Sequence, residues 1–144
     1  KHWNIFMKIK FFFIHLLVFI AAQCLGAKEI TNFDAELEYA RLLNNKERYD
    51  ESLVELHKLL IQKPDSSVVK IEIAKVLYYQ GKYSEALQLL QKIPSNEKSD
   101  PTRLLEADIY LAAKEYRKAE VIYRDLLEKS PSDDLIKLKL AEML

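Results

Sequence analysis

The side chains in this sequence that could carry catalysis or bind a metal are few and far apart. A catalytic triad or a metal centre needs a histidine or cysteine with partners held close to it. His2, His15 and the single cysteine, Cys24, all lie in the first 27 residues, and His57 has no such partner near it in sequence. The sequence therefore excludes a disulfide within the chain and a multi-thiolate metal site, and we expect His57 to be a plain surface residue.

Acidic pairs and glycines add no catalytic pattern. The acidic pairs are Glu36 with Glu38 and Asp133 with Asp134. Both pairs are better explained as solvated helix faces or helix-cap charges than as a general acid and base. Gly26 and Gly81, the only glycines, cannot form a glycine-rich phosphate loop. We therefore predict no catalytic residue, no cofactor and no metal, and we expect that the protein is not an enzyme.

The composition is typical of one folded, helical domain. Hydrophobic residues make up 49% and charged residues 31% of the 144 residues, and the chain has only two glycines and four prolines. Such a chain lacks the turn residues that a hairpin-rich β fold requires. The formal net charge is zero, and after residue 27 there are 19 basic against 22 acidic residues. Because a nucleic-acid binding face is clustered and basic, we exclude nucleic acid as a partner.

The first 27 residues are typical of an export leader. Lys8 and Lys10 precede a run of 12 apolar residues, 11–22, and small residues follow, with cleavage expected after Gly26 or Ala27. A membrane-spanning helix needs about 20 apolar residues, whereas a secretory signal needs roughly 7 to 15. We therefore predict a signal peptide over residues 7–27 and an exported protein, periplasmic or secreted.

Two alternatives to a cleaved signal peptide remain open. The apolar segment could stay uncleaved as a membrane anchor, lengthened by residues 3–6. Cys24 could carry a lipid, although Gln23 stands where a lipidation motif has a small residue. In either case the protein would be membrane-anchored, and only through this leader or through Cys24.

The elements that follow are set by a period of about 34 residues. Tyr49, Tyr83 and Tyr116 each open a similar phrase. An alanine precedes each tyrosine by nine residues and a small residue follows it by three: Ala40, Ala74 and Ala107, then Ser52, Ala86 and Ala119. A fixed period of this length is typical of a stacked solenoid, and the apolar spacing of three and four within each unit predicts amphipathic helices.

Turn and cap residues define the predicted helix ends. We predict helices over 33–45, 48–62, 67–80, 83–93, 101–113, 116–129 and from 134 onward. Expected N-caps lie in 65–67, at Asp100 before Pro101, and in 132–133. Gly81 separates two helices and can adopt a positive φ.

These residues resemble the tetratricopeptide repeat family. The phrase over 76–87, Val-Leu-Tyr-Tyr-Gln-Gly-Lys-Tyr-Ser-Glu-Ala-Leu, is similar to the centre of that repeat. The resemblance implies an all-α solenoid of helix pairs with about three and a third repeats. The predicted repeats span 33–66, 67–99 and 100–133, and 134–144 is the first helix of a fourth repeat or a cap. Pro94 arrives early, which implies a shortened second helix in the second repeat.

The resemblance also implies a function, which is to bind other proteins. In that family the first helix of each repeat lines a concave groove that holds a peptide or a partner helix. Register carries this role onto Arg41, Asn44, Asn45, Lys75, Tyr78, Tyr79, Asp108, Leu111 and Ala112. Tyr78 and Tyr79 are candidate anchors because large aromatic groups dominate binding energies; the alternative is that they pack against the neighbouring repeat.

Two functions are compatible with this reading. One is a non-catalytic binding scaffold in the cell envelope or secreted from the cell. The other is a structural arm of an envelope secretion, polysaccharide-export or outer-membrane assembly machine. A co-chaperone clamp is disfavoured, because Leu37 and Arg41 stand where the family's clamp has a lysine and an asparagine.

The last predicted helix is apolar on most of its circumference. Leu135, Ile136, Leu138, Leu140 and Met143 are distributed around it. A helix of this kind is usually buried on more than one side. We therefore expect that the solenoid continues past residue 144 with a second helix that covers this one.

Overall fold

The computed structural model describes residues 32–143, and all regular structure in this range is helical. In chain order, the helices are α1 Asn32–Asn45, α2 Tyr49–Gln62, α3 Ser67–Tyr79, α4 Tyr83–Gln91, α5 Asp100–Ala112, α6 Tyr116–Lys129 and α7 Asp134–Glu142. A short 3-10 helix, Ser95–Glu97, lies between α4 and α5. The predicted all-α class is confirmed, and the predicted helix bounds lie within two residues of the observed ones.

The helices stack in sequence order into one compact unit that begins at Glu36. From α2 to α7 each helix packs against the next, and α3 also contacts α5, so that first helices of successive repeats meet. The small residues predicted at the close helix contacts are all completely buried: Ala40, Ser52, Ala74, Ala86, Ala107 and Ala119. A larger side chain at any of them would force the helices apart. Ser52 stands where the later repeats have alanine, and its hydroxyl donates a hydrogen bond of 2.8 Å to the Ala40 carbonyl oxygen.

The turn between the two helices of each repeat has one geometry, repeated three times. Glu47, Gly81 and Lys114 adopt positive φ angles of 59°, 74° and 62°. The amide that follows each of them donates to the carbonyl oxygen five residues earlier, at distances from 2.8 to 2.9 Å. This bond is the Schellman closure of a helix C-terminus. The prediction for Gly81 is confirmed, while two non-glycine residues adopt the same conformation.

Two of the three predicted caps are correct, and one is wrong. Ser66 and Asp133 accept hydrogen bonds from the Val69 and Ile136 amides, at 3.4 and 3.1 Å. At the start of α5, however, Ser99 is the N-cap instead of Asp100, and its hydroxyl accepts from the Thr102 amide at 3.4 Å.

The displacement at α5 has a physical reason. Pro101 lacks an amide hydrogen, so it fits either of the first two helical positions at no cost in hydrogen bonds. The helix therefore begins one residue earlier, at Asp100, whose carboxylate pairs with Lys129 Nζ at 2.9 Å. The second helix of the second repeat, α4, is shorter than α2 and α6 and ends at Gln91. This agrees with the short helix predicted from the early Pro94.

Several predictions fall outside residues 32–143. The signal peptide, the alternatives of an anchor or a lipid on Cys24, and any helix after residue 144 all lie outside the described range. Within that range, no helix is both long enough and apolar enough to cross a bilayer.

Candidate protein-binding surface

The first helices of the repeats place the predicted binding residues in three matching positions. Arg41, Lys75 and Asp108 share one register position on α1, α3 and α5, and Tyr78 and Tyr79 lie one turn further along α3. We call the surface formed by these five residues the first-helix face. It carries cationic, acidic and aromatic side chains.

The two cations of the first-helix face converge on a buried acid, Glu72. Its Oε1 accepts from Arg41 Nε at 3.0 Å and from Lys75 Nζ at 3.1 Å, and it lies 2.9 Å from Arg41 Nη2. The side chain of Glu72 is only 7% exposed, whereas those of Arg41 and Lys75 are 35% and 40% exposed. Arg41 also reaches Glu38, whose Oε1 accepts from Nη1 at 2.5 Å. The two positive charges of Arg41 and Lys75 are therefore balanced by the two carboxylates.

The electrostatics of Arg41 follow from this arrangement. Partial burial acts to lower the pKa of the guanidinium, but the carboxylates of Glu72 and Glu38 outweigh it, and the pKa is raised above its ordinary value. Arg41 therefore keeps its charge at physiological pH.

Sequence reasoning missed Glu72. A signal was present, because the side chain interrupts the apolar run of α3 three residues before Lys75, which is the spacing of a helical ion pair. Its bond to Arg41, 31 residues away, depends on how the repeats stack. An acid inside an otherwise apolar stretch requires a partner.

Four tyrosines form a chain of ring contacts across the first two repeats. Tyr79 stacks on Tyr49 of α2, with ring centroids 6.1 Å apart and planes 19° apart. Tyr78 lies 5.5 Å from Tyr79 and 6.0 Å from Tyr83, in tilted geometry. These separations are typical of favourable aromatic pairs. Tyr79 therefore contacts the neighbouring repeat and is still 58% exposed, and its role as an anchor stays a prediction.

Tyr78 is half-buried and electrically neutral. Burial raises the pKa of its phenol above the ordinary value, and the Asp108 carboxylate adds to the rise. The ring can therefore offer an apolar edge and a hydroxyl donor, but not a charge, at physiological pH.

The Asp108 carboxylate has two partners, one on α6 and one on α7. Its Oδ1 accepts from the Tyr123 hydroxyl at 2.5 Å and pairs with Lys139 Nζ at 2.8 Å. Desolvation, with a smaller effect of the Asp108 bond, raises the pKa of Tyr123 far above its ordinary value. Asp108 thus connects α5, α6 and α7 through one carboxylate oxygen.

The remaining predicted residues differ in exposure. Asn45 is exposed, and Leu111 and Ala112 are half-buried. Asn44 is half-buried, and its Oδ1 is a buried acceptor with no hydrogen-bond partner within the described part of the chain.

His57 is exposed, as predicted, and its Nδ1 lies 2.6 Å from the Leu53 carbonyl oxygen. Among residues 32–143, no three His, Cys, Asp or Glu side chains come together as ligands for a metal ion.

A second surface of note is the groove between α6 and α7. It has a volume of about 310 Å³. Apolar side chains of both helices form its floor, and charged ones form its rim: Tyr116, Arg117, Glu120, Arg124, Leu127, Lys137, Leu140, Ala141 and Met143.

Comparison with known proteins identifies relatives of this chain. A model of the tetratricopeptide repeat-like domain matches residues 27–144. Among curated proteins, the ancillary SecYEG translocon subunit of Buchnera aphidicola subsp. Schizaphis graminum (strain Sg) is 29% identical over 100 residues. The match covers 65% of this chain and 52% of that relative, so the chain spans about half of the relative's length.

Proposed function

This chain belongs to the tetratricopeptide repeat-like family, and from that premise we propose that it is a non-catalytic scaffold that binds a protein partner on its first-helix face. The observation that carries the proposal is the exposed Tyr79, 58% accessible and stacked on Tyr49. A ring held in place by a second ring loses little freedom on binding, so its contact area is converted efficiently into affinity.

The partner segment would lie along the first helices from α1 to α5. Tyr79 and Tyr78 provide the anchor. Asn45 and Leu111 extend the surface on either side. Asp108 supports the site by holding the helices together instead of contacting the partner.

A second candidate function is a structural part in an envelope secretion or assembly machine. It is favoured by the likeness to an ancillary SecYEG translocon subunit. The leader-like residues 7–27 favour the same setting, because they predict a protein delivered outside the cytoplasm, with an anchored form as the alternative. The two functions are compatible if the scaffold binds a component of such a machine.

Site-specific photo-crosslinking tests the proposal. A photoreactive phenylalanine analogue replaces Tyr79 in the full-length protein in its own cells, and, in a matched control, it replaces Val121, which is 68% exposed on the second helix α6. We expect one discrete adduct from position 79 that position 121 does not give. Substitution of Tyr78 by Ala in the same protein should weaken that adduct.

Equal adducts from both positions, or none from position 79, would exclude the first-helix face as the binding surface. Identification of the adduct then separates the two functions. A translocon or assembly component would support the structural role, whereas a transient client protein would support the free-standing scaffold.

A further inference from the structure

The position of Glu72 resembles that of a bound ligand carboxylate. Its Oε1 lies 2.9 to 3.1 Å from nitrogens of two cations that come from different repeats, Arg41 and Lys75. Charge-assisted bonds of this length are the strong ones by which proteins hold acidic ligands. Here the carboxylate belongs to the protein itself.

The pairing leaves the cations little capacity for a further acid. All three guanidinium nitrogens of Arg41 have a carboxylate partner, Nε and Nη2 in Glu72 and Nη1 in Glu38. Lys75 is held by Glu72 as well. An acidic segment that approached this surface would meet a neutral group of four charges.

The stacking of repeats does not require an acid at this position. In the first repeat Glu38 occupies the register position of Glu72, in the third repeat it is Leu105, and in α7 it is Lys139. A buried carboxylate is costly unless it is paired. Glu72 is paired with Arg41 and Lys75, and an acid that holds two cations on this surface can also influence what the surface binds.

We propose that Glu72 determines the specificity of the first-helix face by occupying the pair of Arg41 and Lys75. The face then rejects acidic segments and free carboxyl termini, and it selects an uncharged segment with aromatic or other apolar side chains that pack on Tyr79 and Tyr78. This inference rests on the proposed function, because it concerns the same surface.

The test uses a short peptide whose chemistry the unsubstituted protein should reject. The probe is a fluorescent pentapeptide of three alanines and two C-terminal glutamates with a free carboxyl end, and its partner probe has two glutamines and an amidated end. Binding of both is measured by anisotropy at low salt. Glu72→Gln should bind the acidic probe at least about tenfold more tightly than the unsubstituted protein does, since a hydrogen bond to a charged group contributes that much.

Matched variants show whether the gain comes from the two cations. Glu38→Gln removes the exposed partner of Arg41 but leaves Glu72 in place, and it should produce less than a threefold gain. Adding Lys75→Met to Glu72→Gln should abolish the gain. An unchanged affinity in a folded Glu72→Gln protein, or an equal gain in Glu38→Gln, would overturn the inference.

A second variant keeps the test decisive if Glu72→Gln does not fold. Glu72→Ala leaves an empty space between the same cations, and sodium acetate should raise its melting temperature more than sodium chloride at equal ionic strength. No difference between the two salts would also overturn the inference. Failure here is distinct from failure of the proposed function, because crosslinking from position 79 does not involve Glu72, and neither probe requires the natural partner.

Discussion

Tyr123 donates a hydrogen bond of 2.5 Å to Asp108, and the same carboxylate pairs with Lys139. Three helices, α5, α6 and α7, thus meet at one oxygen atom. Because Tyr123 is completely buried, its phenol can be neutral in the folded protein but cannot easily ionise. This makes the third repeat sensitive to alkaline pH.

The first prediction is an alkaline loss of stability that depends on Tyr123. Its pKa is raised in the folded state, whereas in the unfolded chain it is about 10. Below pH 10 both states keep the proton and the bond contributes fully; above it only the unfolded state releases the proton, so the free energy of unfolding falls. Tyr123→Phe should cost about 1 kcal/mol at pH 7 and remove part of this alkaline slope.

Urea melts at pH 7, 9, 10 and 11 check this prediction. The difference in unfolding free energy between the two proteins should shrink steadily as the pH rises above about 10. Val121→Ala is the control, since that side chain is exposed and has no ionisable group, and its difference should not vary with pH. A constant difference for Tyr123→Phe would show that the Asp108 bond does not govern the transition.

The second prediction concerns the close contacts between paired helices. Ala86 is completely buried, so Ala86→Leu should lower the free energy of unfolding by about 1 to 3 kcal/mol, because an overpacked contact pushes the helices apart. His57→Ala, at an exposed site on α2, should change it by less than about 0.5 kcal/mol. Denaturant melts that gave the reverse order would contradict the assigned repeat register.

The third prediction uses the shared turn geometry. Gly81 has a φ of 74° with no atom near the place of a Cβ, so Gly81→Ala should lose about 1 kcal/mol from backbone strain alone. Lys114 has a φ of 62° at the equivalent position, and Lys114→Gly should gain up to about 1 kcal/mol.

Thermal melts of the two variants provide the comparison. The melting temperature should fall for Gly81→Ala and rise for Lys114→Gly. Lys82→Ala is a neighbouring control with an ordinary negative φ, and it should be nearly neutral. If Lys114→Gly were destabilising, the energy of the lysine side chain would outweigh the strain.

The period of the sequence predicted the helices, but it could not predict the contacts between repeats. Recurrent alanines and tyrosines specify local helix pairing, which depends on residues of one unit. The bonds of Arg41 to Glu72 and of Asp108 to Lys139 each join residues 31 positions apart, with the signs reversed. Which residues pair across repeats depends on how one repeat tilts against the next. No local sequence pattern indicates that tilt.

Two further features of the structure could not be predicted from the sequence. Whether Tyr79 is exposed or packed depends on Tyr49, which belongs to another repeat. The cap of α5 differs by one residue because Ser99 and Asp100 are both good N-caps, and Pro101 is compatible with either choice. The predicted binding residues were placed on one surface, but sequence alone could not show that its charges are paired internally.

The groove between α6 and α7 exposes positions of α7 that are buried in the earlier first helices. Ala74 and Ala107 are completely buried in the first helices of their repeats, whereas Ala141, at the same register in α7, is exposed. Met143 is likewise partly exposed, although Ile109 is completely buried at its register. In the earlier repeats, a second helix with a small residue in its first turn covers these positions.

The fourth prediction is that this groove binds an amphipathic helix of the kind seen in α2, α4 and α6, and that without one it drives self-association. Leu127, Leu140 and Ala141 line this groove, which has a volume of about 310 Å³, and they offer apolar contacts to such a helix. A polypeptide of residues 27–144 should therefore form dimers in a concentration-dependent way, measured by sedimentation equilibrium.

Ala141→Arg should make it monomeric, because an arginine in the groove would bury an unpaired charge. Val121→Arg, on an exposed face of α6 outside the groove, should leave the association unchanged. A polypeptide that stays monomeric at millimolar concentration, or dimers that persist in Ala141→Arg, would show that the groove does not mediate association.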